Sequence, residues 1–462
     1  PFAEPIAPQV HPLMSRTVNT IGMLIANALE ERNQPGATHM GTGFDAWYPG
    51  YIDYMPMLQN RAAFWTETAL YNYATPHFYT TRDFPRDRAG LRPESLYSSP
   101  WKGGWWRLRD AVEYMLTGSM AVIEYAGKYK ESVLYNRYQA GRDTLRKYAQ
   151  EPPYAYFIPQ DQRDPVAPVE LLRRLAFNGV RVAQLTKATT VEGIAYPAGT
   201  WVIPMNQEYA ELARQVLDVQ RYPDLRQYPE GPPEQPYDVS GWTLPYQMDV
   251  RVNKITTPLS DEVRAALKSV QGKTTDAKND DAEAAAFDSA PGIGFNTDAV
   301  AAGIVPLPGK RTGNGSVLSL DPAENNTYRA LNLAWQSGGT VQFAPAVIEG
   351  GKVTTPARYL VSNVPEATQN KWVEALALRA QATNATGQAI AAPRIAVYHP
   401  HSPSMDEGWC RWVLDQYGFK YSEVTNANVL AGNLRERFDV LLLADERMRT
   451  LQEGFTEGTV PP

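Results

Sequence analysis

The sequence predicts an α/β fold made of several α/β units in series, and three patterns carry the prediction. Residues 154–219 alternate short apolar runs with amphipathic stretches: Tyr154 to Ile158, Pro168 to Asn178, Val180 to Leu185, Val202-Ile203, then 207–219. Residues 394–443 do the same, with Arg394-Ile-Ala-Val-Tyr398, a helical stretch at 406–417, Gly418 and an apolar run at 439–443. An amphipathic helix at 13–32 comes shortly before an apolar run at 61–70. Strands alternating with helices of this length are the mark of an α/β layer.

Each element has a local reason. In 13–32, Leu13, Val18, Ile21, Leu24, Ile25, Ala28 and Leu29 recur at helical spacing, and Asn33 to Gly36 stop the helix. Residues 38–60 are rich in Gly, Pro and aromatics and read as a structured loop. Residues 61–70, Arg-Ala-Ala-Phe-Trp-Thr-Glu-Thr-Ala-Leu, read as a short buried strand carrying one acid. Residues 75–103 are irregular, and 105–148 read as two helices broken near Gly118 or Gly127. Asn178-Gly179 ends the helix before it. Residues 222–248 form a Pro/Tyr-rich arm, and 258–290 read as a polar, Ala-rich surface linker. Residues 439–445 read as a buried strand, expected to pair with 394–398 in a βαβ start.

Composition narrows the function classes. Hydrophobic content of 43% with 20% charge describes a globular chain. The net charge of −6, with no basic stripe, argues against nucleic acid. No apolar stretch reaches the ~18 residues that would predict a membrane span. One cysteine, Cys410, makes neither an intrachain disulfide nor a Cys-type zinc site. The load of 26 Tyr, 11 Trp and 37 Pro suits an extracytoplasmic enzyme, periplasmic or secreted, with many structured loops. The opening Pro1-Phe2-Ala3-Glu4-Pro5, and a strand at 439–445 so close to Pro462, read as a piece truncated at both ends.

The chemistry concentrates in 41–69. Gly41-Thr-Gly-Phe-Asp-Ala-Trp-Tyr-Pro-Gly-Tyr-Ile-Asp-Tyr54 is followed, after seven residues, by Ala-Ala-Phe-Trp-Thr-Glu67-Thr-Ala. A carboxylate buried without a partner costs on the order of several kcal/mol. Glu67 is therefore either a satisfied structural acid at a strand end or a catalytic group.

This segment resembles the C-terminal half of the M14 zinc carboxypeptidase domain, in the style of large bacterial members. There a helix leads to a Gly-x-x-Asp-Trp/Tyr loop, and a strand ending in the general-base Glu follows. Here the helix is 13–32, the loop is Gly50-Tyr51-Ile52-Asp53-Tyr54, and Glu67 lies at the family's ungapped spacing from Asp53. Pro1 to Pro5 resembles the stretch after the third zinc ligand, and the helix from about Trp105 resembles the domain's closing helix. The resemblance covers about residues 1–125. It implies a zinc-activated water attacking a C-terminal peptide bond, with Glu67 taking the water's proton and passing one to the leaving amine.

It also implies substrate-binding positions. Ile52 falls where the family lines the pocket for the substrate's C-terminal side chain, though a plain loop hydrophobe would look the same. The family's mobile active-site Tyr maps onto Asp45, and Trp47 or Tyr48 could take its place. The zinc ligands, a His-x-x-Glu pair and a later His, are not found: the histidines are His11, His39, His77, His399 and His401, without ligand spacing. The ligands and the carboxylate-clamping Arg are expected upstream of Pro1. Zinc is thus expected in the intact parent protein, with none bound by this piece.

Further on, Tyr398-His399-Pro400-His401 with Ser404-Met405-Asp406-Glu407-Gly408-Trp409 resembles the opening of the class I glutamine-amidotransferase-like fold, of flavodoxin type. That fold places its nucleophile at a later strand-to-helix elbow, so Cys410 reads as a buried helix residue. His399 and His401 read as a solvated loop pair, a metal pair being the alternative. The role of Pro236 to Pro245, also similar to a stretch in these proteins, is open.

The expected organisation is 1–125 as the C-terminal part of the peptidase domain and 126–255 as a helix, an α/β unit and the arm. A linker at 256–290, a second α/β unit at 291–390 and the start of the amidotransferase-like domain at 391–462 follow. The expected function of the intact parent is metallocarboxypeptidase, acting on peptide or protein C-termini, with this piece, which lacks the zinc ligands, inactive alone. The alternatives are a non-catalytic binding or accessory protein of the same fold, or a periplasmic carbohydrate-binding protein using its aromatics.

Overall fold

The computed structural model describes residues 3–38, 45–71, 74–85, 90–236, 243–270, 303–402 and 404–454. It is a mixed α/β structure. In chain order, strand β1 (Ala3–Ile6) precedes helix α1 (Pro12–Glu31), and β2 (Asp45–Ala46) pairs back onto β1 in parallel. A 3₁₀ turn at Met55–Gln59 is followed by irregular chain. Then β3 (His77–Tyr79) and β4 (Gly104–Trp106) form an antiparallel pair. Helices α2 (Leu108–Lys128) and α3 (Lys130–Gln150) lead to β5 (Ala155–Ile158). Next come α4 (Ala167–Phe177), β6 (Ala183–Leu185), the hairpin β7 (Thr189–Val191) and β8 (Ile194–Tyr196), β9 (Trp201–Pro204) and α5 (Ala210–Leu217). Helix α6 (Leu244–Gln247), β10 (Asn253–Ile255), α7 (Asp261–Ala265) and β11 (Leu267–Ser269) follow.

Strands β12 (Lys310–Gly313) and β13 (Val317–Leu320) come after residue 302, followed by α8 (Asn325–Gln336) and β14 (Thr340–Ala344). The hairpin β15 (Val347–Glu349) and β16 (Lys352–Thr355), β17 (Arg358–Ser362), α9 (Glu366–Ala375), β18 (Arg379–Thr383) and β19 (Gln388–Ile390) complete that stretch. The last part holds β20 (Ile395–Tyr398), α10 (Met405–Gln416), β21 (Tyr421–Val424) and β22 (Val440–Leu442).

The chain divides into two compact units: Pro1–Pro159 with Asn178–Ser269, and Gln160–Phe177 with Val270–Pro462. In the first, the five-stranded sheet has order β10-β5-β9-β6-β11, every neighbouring pair antiparallel. β5 and β6 run parallel, but β9 inserts between them. Its core holds Phe157, Leu185, Tyr196, Val202 and Ile255. Alternation of helix and strand predicted a layer correctly, but it says nothing of strand direction. The hairpin β7–β8 turns the chain back, which makes the layer antiparallel.

Helix α1 begins where Pro12 presets the first turn and the His11 ring accepts from the Leu13 amide at 3.2 Å. Its apolar stripe of Ile21, Ile25 and Leu29 packs on Ala121 and Tyr125 of α2. The opposite stripe of α2, Leu108, Val112, Met115, Leu116, Met120 and Ile123, is exposed. The break between α2 and α3 falls at Tyr129, while Gly118 lies inside α2, one of the faces turned inward.

The second unit carries a six-stranded sheet, order β12-β18-β13-β17-β14-β19, antiparallel except for β12 with β18. Leu318, Leu320, Val341, Val361 and Ala380 form the core with Ala330, Leu331 and Ala334 of α8 and Val373 of α9. A separate three-stranded parallel sheet has order β21-β20-β22.

Two expectations are corrected here. Residues 439–445 are not a buried strand: β22 is a sheet edge, with Val440 and Leu441 exposed, because among the described residues it has a neighbour on one side only. Residues 258–269 are not linker. Ser260 caps α7 by accepting from the Val263 amide, and β11 pairs with β6. The remainder of the expected linker, 271–290, and residues 237–242 of the arm lie outside the described residues.

Candidate functional site

The segment 61–70 has no regular secondary structure, and Glu67 is exposed. The expected buried strand, central in a sheet with helices 13–32 and 105–125 packed on it, is therefore not what this structure shows. A strand exists only through a ladder partner, and among the described residues no strand pairs with 61–70. Helices α1 and α2 instead pack on each other. Without burial, the desolvation argument that singled out Glu67 falls away. The spacing and the resemblance stand apart from it.

One contact ties this segment to the loop before it. The Trp65 side chain lies close enough to the Asp53 carboxyl to pull its pKa down, as does the backbone at Asp53 and Tyr54. Burial still dominates, lifting the Asp53 carboxyl above the usual range against these influences. Trp65 itself is exposed, as are Leu70 and Tyr71, which gives this part of the unit an open aromatic surface. His77 stacks on Tyr71 with centroids 4.0 Å apart, and Phe78 meets Trp105 edge-on across the β3–β4 pair at 5.6 Å. Ile52, at the tip of the loop, is 70% exposed.

The other expected positions turn inward. Asp45 is 4% exposed on β2 and accepts from the Tyr222 hydroxyl at 2.8 Å. Trp47 is buried, edge-on to the Tyr222 ring at 5.3 Å, and its carbonyl accepts from Gln215 at 3.0 Å. Tyr48 lies half-buried against Tyr51, with centroids at 5.1 Å. Trp47 or Tyr48 was expected to stand in for the family's mobile active-site Tyr. Trp47 is instead an anchor for the arm residue Tyr222, because an indole gains more from packing than from lining open solvent. Tyr54 is fully buried, and its hydroxyl has no hydrogen-bond partner among the described residues; burial first, then Asp45 and Glu211, raise its pKa.

Sequence reading missed Tyr222 and Glu211. Glu211 is 8% exposed and accepts from Lys147 at 2.7 Å and from the Tyr148 hydroxyl at 2.9 Å. A Glu in the first turn of a strongly amphipathic helix was the available signal, but its partners lie on α3, far away in sequence.

On α10, which follows β20 of the parallel sheet, Glu407 is 1% exposed in the first turn, after the N-cap Ser404. It lies 3.5 Å from His399 and 2.8 Å from Arg411, both at ion-pair distance but misaligned for hydrogen bonds. His401 is exposed, and Cys410 is half-buried on α10 rather than buried. Among the described residues no three His, Cys, Asp or Glu side chains converge as a metal site. His11 caps α1 and lies 3.4 Å from Asp143, His77 stacks on Tyr71, and His39 is outside the described residues. The described residues do not fit a zinc centre. No helix among those described is long and apolar enough to cross a membrane. The chain matches no protein-family model, no curated protein and no solved structure.

Proposed function

We propose that this chain contributes the general base of an M14-like metallocarboxypeptidase, and that the base is Glu67. The observation that carries the reading is the nearness of the Trp65 side chain to the Asp53 carboxyl, which brings the segment bearing Glu67 beside the loop 50–54. It joins the two motifs whose order and spacing resemble the family's. Glu67 is exposed and so is open to water and substrate. It takes a proton from the water attacking the C-terminal peptide carbonyl, then returns a proton to the leaving amine. Ile52, exposed at the loop tip, contacts the C-terminal side chain and favours apolar or aromatic residues there. The zinc such an enzyme uses would need ligands other than the residues described, and no step through it is derived. An extracytoplasmic setting, as expected from composition, accompanies this reading.

The test uses the product of the complete gene. Glu67→Gln keeps side-chain size but cannot accept the proton, so release of an amino acid from a blocked dipeptide should fall ~10²–10⁴-fold. Zinc content by elemental analysis should not change. Near-full turnover in the variant removes Glu67 from the mechanism. A second reading, a non-catalytic binding protein, is favoured by the exposed aromatic pair Phe78–Trp105 and by the exposed Trp65. It predicts no peptide hydrolysis by the wild-type protein at any zinc level.

A further inference from the structure

Helix α2 is apolar on two sides. Ala121 and Tyr125 pack towards α1, while Leu108, Val112, Met115, Leu116, Met120 and Ile123 are each 43–62% exposed. These six recur at spacings of three and four, so they form one continuous stripe along the helix. A surface helix needs one apolar stripe, against its own core; a helix apolar on both sides is a buried helix. Half of six large side chains left in water amounts to roughly 500 Å², near the upper end for the largest apolar patch on a monomer.

Two features of the stripe are self-complementary. The first is its symmetry about Leu116: Val112 and Met120 lie one turn to either side, Leu108 and Ile123 about two. The second is the charge along one flank, which runs Arg109, Glu113, Glu124, Lys128, positive at both ends and negative between. Within the helix Arg109 donates to Glu113 at 2.8 Å, and Lys128 donates to Glu124. All four side chains are at least half exposed, so these pairs are screened and contribute little where they stand. With two acids and two bases, the flank has no net charge to draw it to an anionic lipid surface.

We propose that this stripe is the contact between two copies of the chain, with α2 of one copy antiparallel to α2 of the other across a two-fold axis near Leu116. Turning a helix about such an axis reverses its direction but keeps each flank on its own side. Leu116 then meets its own counterpart, Val112 meets Met120 of the second copy, and Leu108 meets Ile123. On the flank, Arg109 comes beside Glu124 of the second copy, and the symmetry repeats the pair. Each new pair extends an existing one into a row of alternating sign, from Glu113 and Arg109 to Glu124 and Lys128 of the other copy. A parallel pairing would instead set Arg109 against Arg109 and Glu124 against Glu124. Two copies remove about 1,000 Å² on the stripe alone, the size at which a specific interface begins.

The test is sedimentation velocity of the full chain over the micromolar range, where a dimer is expected. Leu116→Glu sets two carboxylates face to face on the axis and should weaken the dimer roughly a hundredfold or more, as facing like charges do. Leu430→Glu, at an exposed site of the other unit, should leave it unchanged. Arg109→Glu should weaken it about tenfold, and adding Glu124→Arg should restore it. Cysteines in a Cys410→Ser background read the orientation. Leu116→Cys should form an intermolecular disulfide on oxidation. Leu108→Cys should not, because its two copies lie about 24 Å apart along the helix pair. A wild-type monomer overturns the proposal, whether the stripe is then bare or covered by another protein. So does a dimer that persists in Leu116→Glu, or a disulfide that forms as readily through Leu108→Cys as through Leu116→Cys.

Discussion

Two apolar runs of the first unit meet opposite fates. Residues 201–204, Trp-Val-Ile-Pro, form β9 with Trp201, Val202 and Ile203 all fully buried. Residues 61–70 are as poor in charge through their middle, yet they remain irregular with Trp65, Glu67 and Leu70 exposed. The difference is not composition. β9 lies between β5 and β6 and exchanges ladder hydrogen bonds with both. Among the described residues, no amide from 62 to 70 donates to a backbone carbonyl. Apolar sequence makes burial favourable, but only a neighbour that satisfies the backbone makes a strand.

The comparison can be broken by mutation. Phe157→Ala in β5, next to β9, should cost ~3–5 kcal/mol in chemical denaturation, since the ring is fully buried against Tyr196. Leu70→Ala should stay within about 0.5 kcal/mol, as for an exposed site. A cost of several kcal/mol at Leu70 would mean that 61–70 packs as a strand after all.

The same contrast applies to acids. Glu211→Ala should cost ~2–4 kcal/mol: it strands Lys147 and the Tyr148 hydroxyl, a loss moderated by the partial exposure of Lys147. Glu67→Gln should change stability by less than about 0.5 kcal/mol while acting on turnover. A large stability loss there would make Glu67 a structural acid.

Backbone protection sharpens the comparison without mutation. Hydrogen exchange at the Val202 and Ile203 amides should be slower than at 62–70 by ~10³-fold or more, since ladder amides open only with the sheet. Similar exchange at both places would show that 61–70 is paired.

The smallest expected effect is electrostatic. Asp439 lies at the start of β22, where Arg394 donates to it from its side chain and backbone, and holds its carboxyl down at about 2. Because the folded value is depressed, its contribution is present above the ordinary carboxylate value near 4. It is lost as pH falls towards 2. Burial moves Glu324 the opposite way, so there the folded state takes up its proton first and stability falls as pH rises through that window. Carboxyl chemical shifts followed by NMR should separate the two, Asp439 titrating below and Glu324 above the usual range. Asp439→Asn should abolish the first transition only.

The long helices were legible because their signal is local. Residues 13–32, 168–178 and 406–417 were expected, and α1, α4 and α10 lie within a residue of them. The hairpin β7–β8 and the edge strands β10 and β11 were not seen: each is three residues long, too short to show a period. In the candidate site, Ile52 was expected in a loop and is exposed at a loop tip. Asp45 and Trp47 were expected in the same loop, but Tyr222, about 175 residues later, draws them into the interior.

The sequence by itself determined the helices, the mixed α/β class and the short list of residues able to do acid–base chemistry. Periodicity and side-chain chemistry belong to each stretch of chain alone. Strand direction, the insertion of β9 between β5 and β6, and the inward turn of Trp47 were decided only by the tertiary structure. So were the exposure of Glu67 and the meeting of Arg358, Arg379, Asp321 and Glu324 around one cavity. Each of these depends on which distant backbone or side chain supplies a partner, and a run of residues carries no record of its partner's address.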